Sequence, residues 1–205
     1  TLENIVWKSN EAGRPDIGRM AASLGSMYRL SISGGQVIVP MEHEIEHLMA
    51  YVKIQKNRYG DSVEFELQTD MAQVHELHSL KILLQPIVEN SVKYGLRPKE
   101  GGNGVVAIRG EIQEAFLELT IMDNGVGMSE ERLRYIQKLL EDETEKCQEE
   151  ESSGIGIKNV YERIKLIFGE EYRIEISSFE NIGTIVKYRL PVTRAGEQER
   201  EKEYV

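Results

Sequence analysis

Three short motifs hold the residues of this 205-residue chain whose types and spacing suit chemistry. LQPIVENSVKYG, residues 84–95, reads as helix and sets Asn90 and Lys93 three residues apart on one face. DNGVG, residues 123–127, ends an alternating strand pattern, and GIGIKN, residues 154–159, opens a helical one. The residue types match the needs of a bound nucleotide. Asn90 brings a neutral amide oxygen, a ligand suited to Mg²⁺, which fills its remaining positions with phosphates and water. Lys93 brings a positive charge within reach of a terminal phosphate. Asp123 brings a carboxylate that accepts from an amino group such as that of adenine. Gly125, Gly127, Gly154 and Gly156 lack Cβ, so the backbone can approach a ligand closely. The helix that follows Gly154 and Gly156 starts with free N–H groups and a positive dipole end, which suit phosphate. Paired glycines are common, but three motifs in order, each in a fitting context, form a specific signal.

These motifs need a mixed scaffold. Residues 2–9 read as a helix, and Gly13-Arg14-Pro15-Asp16 breaks it, with Asp16 placed to cap the next. Ile17, Met20, Ala21, Leu24, Met27 and Tyr28 then recur at helical spacing up to Gly34-Gly35. Pro40 opens a third helix with Ile45, Leu48, Met49 and Val52 on one face, closed by Gly60-Asp61. Val63, Phe65 and Leu67 alternate with polar residues as a half-buried strand. Helix is expected over residues 80–96, then strands near 105–112 and 115–122 around the Gly101–Gly104 turn region. Further helices are expected over residues 129–140 and 155–168, and final strands near 172–178 and 184–190. Adjoining strands imply hairpins, so the class is α+β with a mostly antiparallel sheet.

Composition narrows the function. Acids outnumber bases 35 to 25, a net charge of −10, which disfavours binding nucleic acid by counterion release or a membrane by a basic patch. Residues 141–151 hold seven acids and one lysine and are expected to form an open, solvated stretch, with a polar tail beyond residue 193. The single cysteine, Cys147, fits a reducing compartment, and its acidic surroundings disfavour a reactive thiolate. No apolar run approaches the roughly 20 residues of a membrane span. The chain starts at Thr1 within helix-like sequence, as expected of a piece of a longer protein.

The motifs resemble the GHKL (Bergerat) ATP-binding fold shared by histidine kinases, gyrase, MutL and a heat-shock chaperone. Within that group the chain is similar to LytS/YesM-type sensor histidine kinases over residues 1–192. LQPIVENSVKYG resembles their N box, and DNGVGM and GIGIKNVYERI resemble their two glycine boxes. YVKIQKNRYGD, residues 51–61, resembles the segment joining the helical region to the catalytic domain. The resemblance implies a helical dimerisation and phosphotransfer region over residues 1–60, an α/β-sandwich ATP-binding domain over 61–192 and a polar tail over 193–205. It implies Mg²⁺ on Asn90, adenine on Asp123, phosphate near Lys93 and Glu89 as the acid that activates the attacking histidine. Tyr94 stands where the family has His and is expected to pack on the nucleotide, Thr184 takes the last adenine-side position, and residues 128–153 form the ATP lid.

The implied activity is ATP-dependent autophosphorylation of a histidine, expected five residues before Thr1, followed by transfer to an aspartate of a response regulator. The resemblance also implies a homodimer and a parent protein in the bacterial plasma membrane, with this piece in the cytoplasm. Relatives that hydrolyse ATP with water carry a glutamate where this chain has Pro86, which favours transfer to a side chain. The competing readings are a regulatory ATP-binding module and a dimerisation scaffold. A fourth motif, His43-Glu44-Ile45-Glu46-His47, matches the H-E-x-x-H pattern of zinc proteases. His75 and His78 lie in another element, so a solvated acidic face with two exposed histidines is the favoured reading there. Trp7, Tyr28 and the methionines at 20, 27 and 49 are expected in core or dimer-interface packing.

Overall fold

A computed structural model describes residues 2–31, 36–59, 63–69, 74, 76–99, 103–141 and 155–194. Gly34, Gly35, Gly60, Asp61, His75, Gly101, Gly102, Cys147, Gly154, most of the acidic stretch and the tail beyond residue 194 lie outside the described residues.

The chain begins with α1 (Leu2–Glu11) and α2 (Pro15–Ser31), packed against each other. Asp16 does not cap α2. The helix starts one residue earlier, at Pro15, whose fixed φ and missing N–H suit a first helical position. The Asp16 carboxylate instead pairs with Arg14 at 2.7 Å. Trp7 is 60% exposed and Leu24 49%, so neither is core within one chain.

A short strand, β1 (Ile38–Pro40), precedes α3 (Met41–Tyr59). Met41, Ile45, Leu48, Tyr51 and Val52 of α3 enter the main hydrophobic core, while Met49 faces outward. The H-E-x-x-H segment differs from its expected solvated state: Glu44 is 2% exposed and His47 3%, while His43 and Glu46 are exposed. Glu44 lies on the apolar stripe because it is three residues after Met41 and four before Leu48. Among the described residues no His/Cys/Asp/Glu group is arranged to hold a metal ion.

Next come β2 (Val63–Thr69), β3 (Leu77–Leu80) and α4 (Gln85–Asn90), continued by a π-helical turn, Ser91–Leu96. The expected helix over 80–96 therefore starts late: Leu77–Leu80 pairs as a strand and residues 81–84 turn. Strands β4 (Gly104–Gln113) and β5 (Phe116–Asp123) form a hairpin, followed by α5 (Glu130–Glu141) and α6 (Ile155–Phe168). The chain closes with β6 (Arg173–Phe179), β7 (Gly183–Pro191) and β8 (Thr193–Arg194).

The strands form two sheets. The larger has the order β2-β4-β5-β7-β6, antiparallel except for the parallel pair β2–β4. The smaller, β1-β3-β8, was not expected, because two- to four-residue strands are too short to show periodicity. Alternation sends Leu117, Leu119 and Ile121 of β5, Ile174 and Ile176 of β6, and Val186, Tyr188 and Leu190 of β7 into the core. Glu175, Lys187 and Arg189 point to the opposite, exposed face. Truncating a core residue such as Leu48 or Leu119 to Ala would cost about 2–5 kcal/mol. The inward series ends at Asp123, Ser178 and Thr184, so the alternation that fills the core also turns three polar side chains toward its open edge.

Candidate nucleotide site

At that edge lies a cavity of about 440 Å³. Its polar lining includes Asn90, Ser91 and Tyr94 from α4 and the π turn, Asp123 at the end of β5, and Thr184 on β7. Ile87, Ile136, Ile157, Ile176 and Val186 form the apolar part, which suits a flat, largely apolar ring system.

Asp123 is held from several sides. Its Oδ1 accepts the Gly125 N–H at 2.9 Å, and Ser91 and the Thr184 backbone also bond to it. Burial pushes the carboxyl above its ordinary value, opposed by those hydrogen bonds and by the charge of Lys99.

The loop after Asp123 is pinned as firmly. Asn124 Oδ1 accepts from the Val105 N–H at 2.8 Å, and Lys99 Nζ donates to the Asn124 carbonyl at 2.8 Å. The Val126 N–H donates to the Gly95 carbonyl at 2.9 Å, so the loop crosses the π turn in direct backbone contact. A Cβ on Gly125 would lie 2.4 Å from the Gly95 carbonyl carbon, which is why only glycine fits there. Gly127 has φ of 66° and lines the cavity, and a Cβ on it would meet the Phe179 carbonyl oxygen at 2.0 Å. Gly125 thus serves the loop crossing, while Gly127 borders the cavity itself.

The two residues expected at the phosphate end are placed differently. Asn90 lines the cavity, but Lys93 is exposed and off its wall, with Nζ 4.7 Å from the Tyr94 ring centroid. The π turn explains this. The Arg97 N–H bonds to the Val92 carbonyl, five residues back, and so wide a turn moves residue i+3 off the face of residue i. Glu89 is also exposed and accepts from Gln85 Nε2 at 2.7 Å.

Gly156 is in the first turn of α6, where an added Cβ would touch the Pro86 ring at 3.9 Å, so the second glycine motif lies beside the first motif's helix. Gly154 and residues 142–153 of the expected lid lie outside the described residues. No histidine among the described residues lines the cavity.

Sequence reasoning missed several residues of this region. Ser91 bonds Asp123, Asn124 ties the loop to β4, and Ser178 Oγ accepts the Met128 N–H at 2.9 Å and contacts Thr184 Oγ1 at 2.9 Å. Arg132 and Glu180 also line the cavity. Ser178 was findable, since it shares the inward parity of Ile174 and Ile176. Arg132 carried no comparable signal.

Known proteins with related sequences and folds agree with this architecture. Residues 76–194 match the family described as histidine kinase-, DNA gyrase B- and HSP90-like ATPase, and residues 1–63 match a family described as histidine kinase. The sensor protein kinase HptS of Staphylococcus aureus is 28% identical over 171 residues, covering 83% of this chain and 31% of that protein. The chain thus spans about a third of the length of the curated relatives it matches. The histidine kinase domain of the Erythrobacter litoralis EL346 blue-light activated kinase superposes with a TM-score of 0.53 at 14% identity, over 89% of this chain and 82% of that one. Full-length ShkA, solved with AMPPNP, gives a TM-score of 0.54 at 13% identity, over 92% of this chain and 39% of that one. With more than half of its residues inside the first family model and the described fold around them, the chain belongs to the histidine kinase-, DNA gyrase B- and HSP90-like ATPase family.

Proposed function

We propose that this chain is the nucleotide-binding catalytic part of a sensor histidine kinase, which transfers the γ-phosphoryl of Mg-ATP to a histidine of its parent protein. The observation that carries this reading is the cavity whose wall combines Asn90, a half-buried Asp123 carboxylate and apolar side chains. In this reading Asp123 accepts the adenine amino group, with Thr184, Gly127 and Tyr94 around the base and Gly125 holding the loop. The amide oxygen of Asn90 holds Mg²⁺, whose charge, when bound, offsets that of the phosphate oxygens. The first turn of α6, with Gly156 in it, faces the phosphates.

In this reading Glu89, exposed one residue before Asn90, takes the proton of the incoming imidazole. The imidazole nitrogen bonds to the γ-phosphorus as the bond to the β-phosphate oxygen breaks, and ADP leaves. Lys93 reaches the γ-phosphate by a rotamer change, which an exposed lysine makes at little cost. Pro86 supports transfer to a side chain, because it cannot orient water. His47 is buried and His43 is on the outward face of α3, which supports an acceptor histidine elsewhere in the parent protein.

The phosphoryl group then passes to an aspartate of a response regulator. Residues 1–60 form the dimerisation and phosphotransfer region and residues 61–192 the ATP-binding domain; of the expected tail 193–205, Thr193 and Arg194 instead pair with β3 as β8. This is a division of roles, since α3 shares the core of the larger sheet. The parent is a membrane-bound homodimer. Among the described residues, no helix is long and apolar enough to cross a membrane.

Calorimetry tests the site. The wild-type chain should bind Mg-ADP. Asn90→Ala should lose the affinity gained on adding Mg²⁺, and Asp123→Ala should weaken binding with and without the metal. Wild-type affinity in both variants would refute the assignment.

A further inference from the structure

The turn at residues 81–84, which feeds α4, is gripped by three distant side chains. Glu44 of α3 accepts the N–H groups of Ile82 at 2.5 Å and Leu83 at 2.8 Å, and the Leu84 amide also bonds to it. From the other side, Arg163 of α6 donates to the carbonyls of Lys81 and Ile82. The Tyr188 hydroxyl of β7 donates to the Leu83 carbonyl at 3.0 Å. This backbone does not hold itself. Ile82 has φ of 56°, unfavourable for a β-branched residue, and Leu84 provides no side-chain cap for α4. A carboxylate that is 2% exposed is costly unless its oxygens are satisfied, and here backbone N–H groups satisfy it.

We propose that Glu44 is a positioning residue of the nucleotide site: with Arg163 it clamps the 81–84 turn between α3 and α6, and so sets where Asn90 stands in the cavity. The inference rests on the nucleotide reading above. Asn90 follows Leu84 by six residues, within a helix of six residues, so a shift of the turn passes almost rigidly to its amide. Asp123 stands on β5, fixed by its pairing with β4 and β7, and meets the segment that follows the turn through the Ser91 hydrogen bond. The clamp therefore acts first on the metal end of the site, and more weakly on the base end, whose carboxylate is fixed by the sheet. Burial raises the Glu44 carboxyl above its ordinary value, opposed by the three amides and the charge of Arg163.

The test uses the whole chain as wild type, Glu44→Gln and Glu44→Ala, titrated calorimetrically with ADP in chelator and with Mg-ADP. All titrations run at a temperature where melting curves show each variant folded. Glu44→Ala should lose about tenfold in the affinity gained on adding Mg²⁺, while binding of metal-free ADP stays within about twofold of wild type. Glu44→Gln keeps one acceptor but turns an amino group against a buried N–H, and should fall between. Equal losses with and without metal, or no loss in either, would overturn the positioning role.

Hydrogen–deuterium exchange without nucleotide reads the clamp separately. In Glu44→Gln the amides of residues 82–90 should exchange faster while those of β4 and β5 do not change. Unchanged exchange over 82–90 would overturn the clamp. If Glu44→Ala fails to fold, Glu44→Gln carries both measurements. A wild-type chain that binds no nucleotide would overturn the site reading and Glu44's part in it, and the exchange data would still decide whether the turn is clamped.

Discussion

Asp123 sits at a strand end with its carboxylate hydrogen-bonded by Ser91, Gly125 and Thr184, whereas Lys93 stands exposed on a π turn beside the Tyr94 ring. Both come from motifs read for the same ligand. At the base end the loop crosses the π turn backbone to backbone, so its groups are fixed before any ligand arrives. At the phosphate end, Glu89 and Lys93 are exposed and held by surface contacts, Glu89 with Gln85 and Lys93 with the Tyr94 ring. On the proposed reading, the difference teaches that the groups offered to the base are built into the fold, while those offered to the phosphates are set when the nucleotide arrives.

The asymmetry breaks most sharply at Gly125. Gly125→Ala sets a methyl against the Gly95 backbone, which is already tied to Val126, so neither strand can yield. Urea unfolding should show a loss of about 3 kcal/mol. A wild-type midpoint would mean that the base-end loop is far softer than its contacts imply.

Asp123→Asn leaves the packing nearly unchanged but turns a donor toward the adenine amino group. ADP affinity should fall about tenfold to a hundredfold, with or without Mg²⁺, as read by calorimetry. Lys93→Ala should cost ATP only about threefold and leave ADP unchanged, because an exposed lysine gives up rotamer freedom to reach a phosphate. Equal losses for the two nucleotides would place Lys93 away from the terminal phosphate.

The smallest effect is on stability against pH. Burial raises Asp123 above its ordinary 3.8, so the folded chain holds this proton more tightly than the unfolded one. That contribution is fully present below pH 3.8 and is lost as pH rises through the raised folded value. Relative to Asp123→Asn, the wild type should therefore lose stability from acid toward neutral pH in thermal melts. The opposite slope would show that the hydrogen bonds from Ser91, Gly125 and Thr184 outweigh burial.

Much of the site was legible because periodicity and glycine spacing are local properties. The β5 alternation of Leu117, Leu119 and Ile121 points directly to Asp123, and the start of α6 at Ile155 was readable from its motif. Lys93 was expected on the same helical face as Asn90 because regular helical spacing was assumed across Ser91–Leu96, and nothing local marks a π turn. Glu44 was misread because neighbouring acids suggested a wet face. Its position between Met41 and Leu48 on the apolar stripe was the available signal, and the reason for its burial, the turn at Ile82, lies 38 residues away. Arg163 and Tyr188 reach the same turn from still further along the chain, beyond any window of sequence periodicity.

The smaller sheet has a kinetic consequence. Its middle strand, β3, pairs with residues 38–40 on one side and with Thr193 and Arg194 on the other. Closing so long a loop is slow, and it gains nothing until the last strand is present. On a ribosome the α1–α2 pair and the β4–β5 hairpin can form as they emerge, but β3 stays half-paired until Arg194 has been made. Until then its exposed edge is open to pairing with a neighbour.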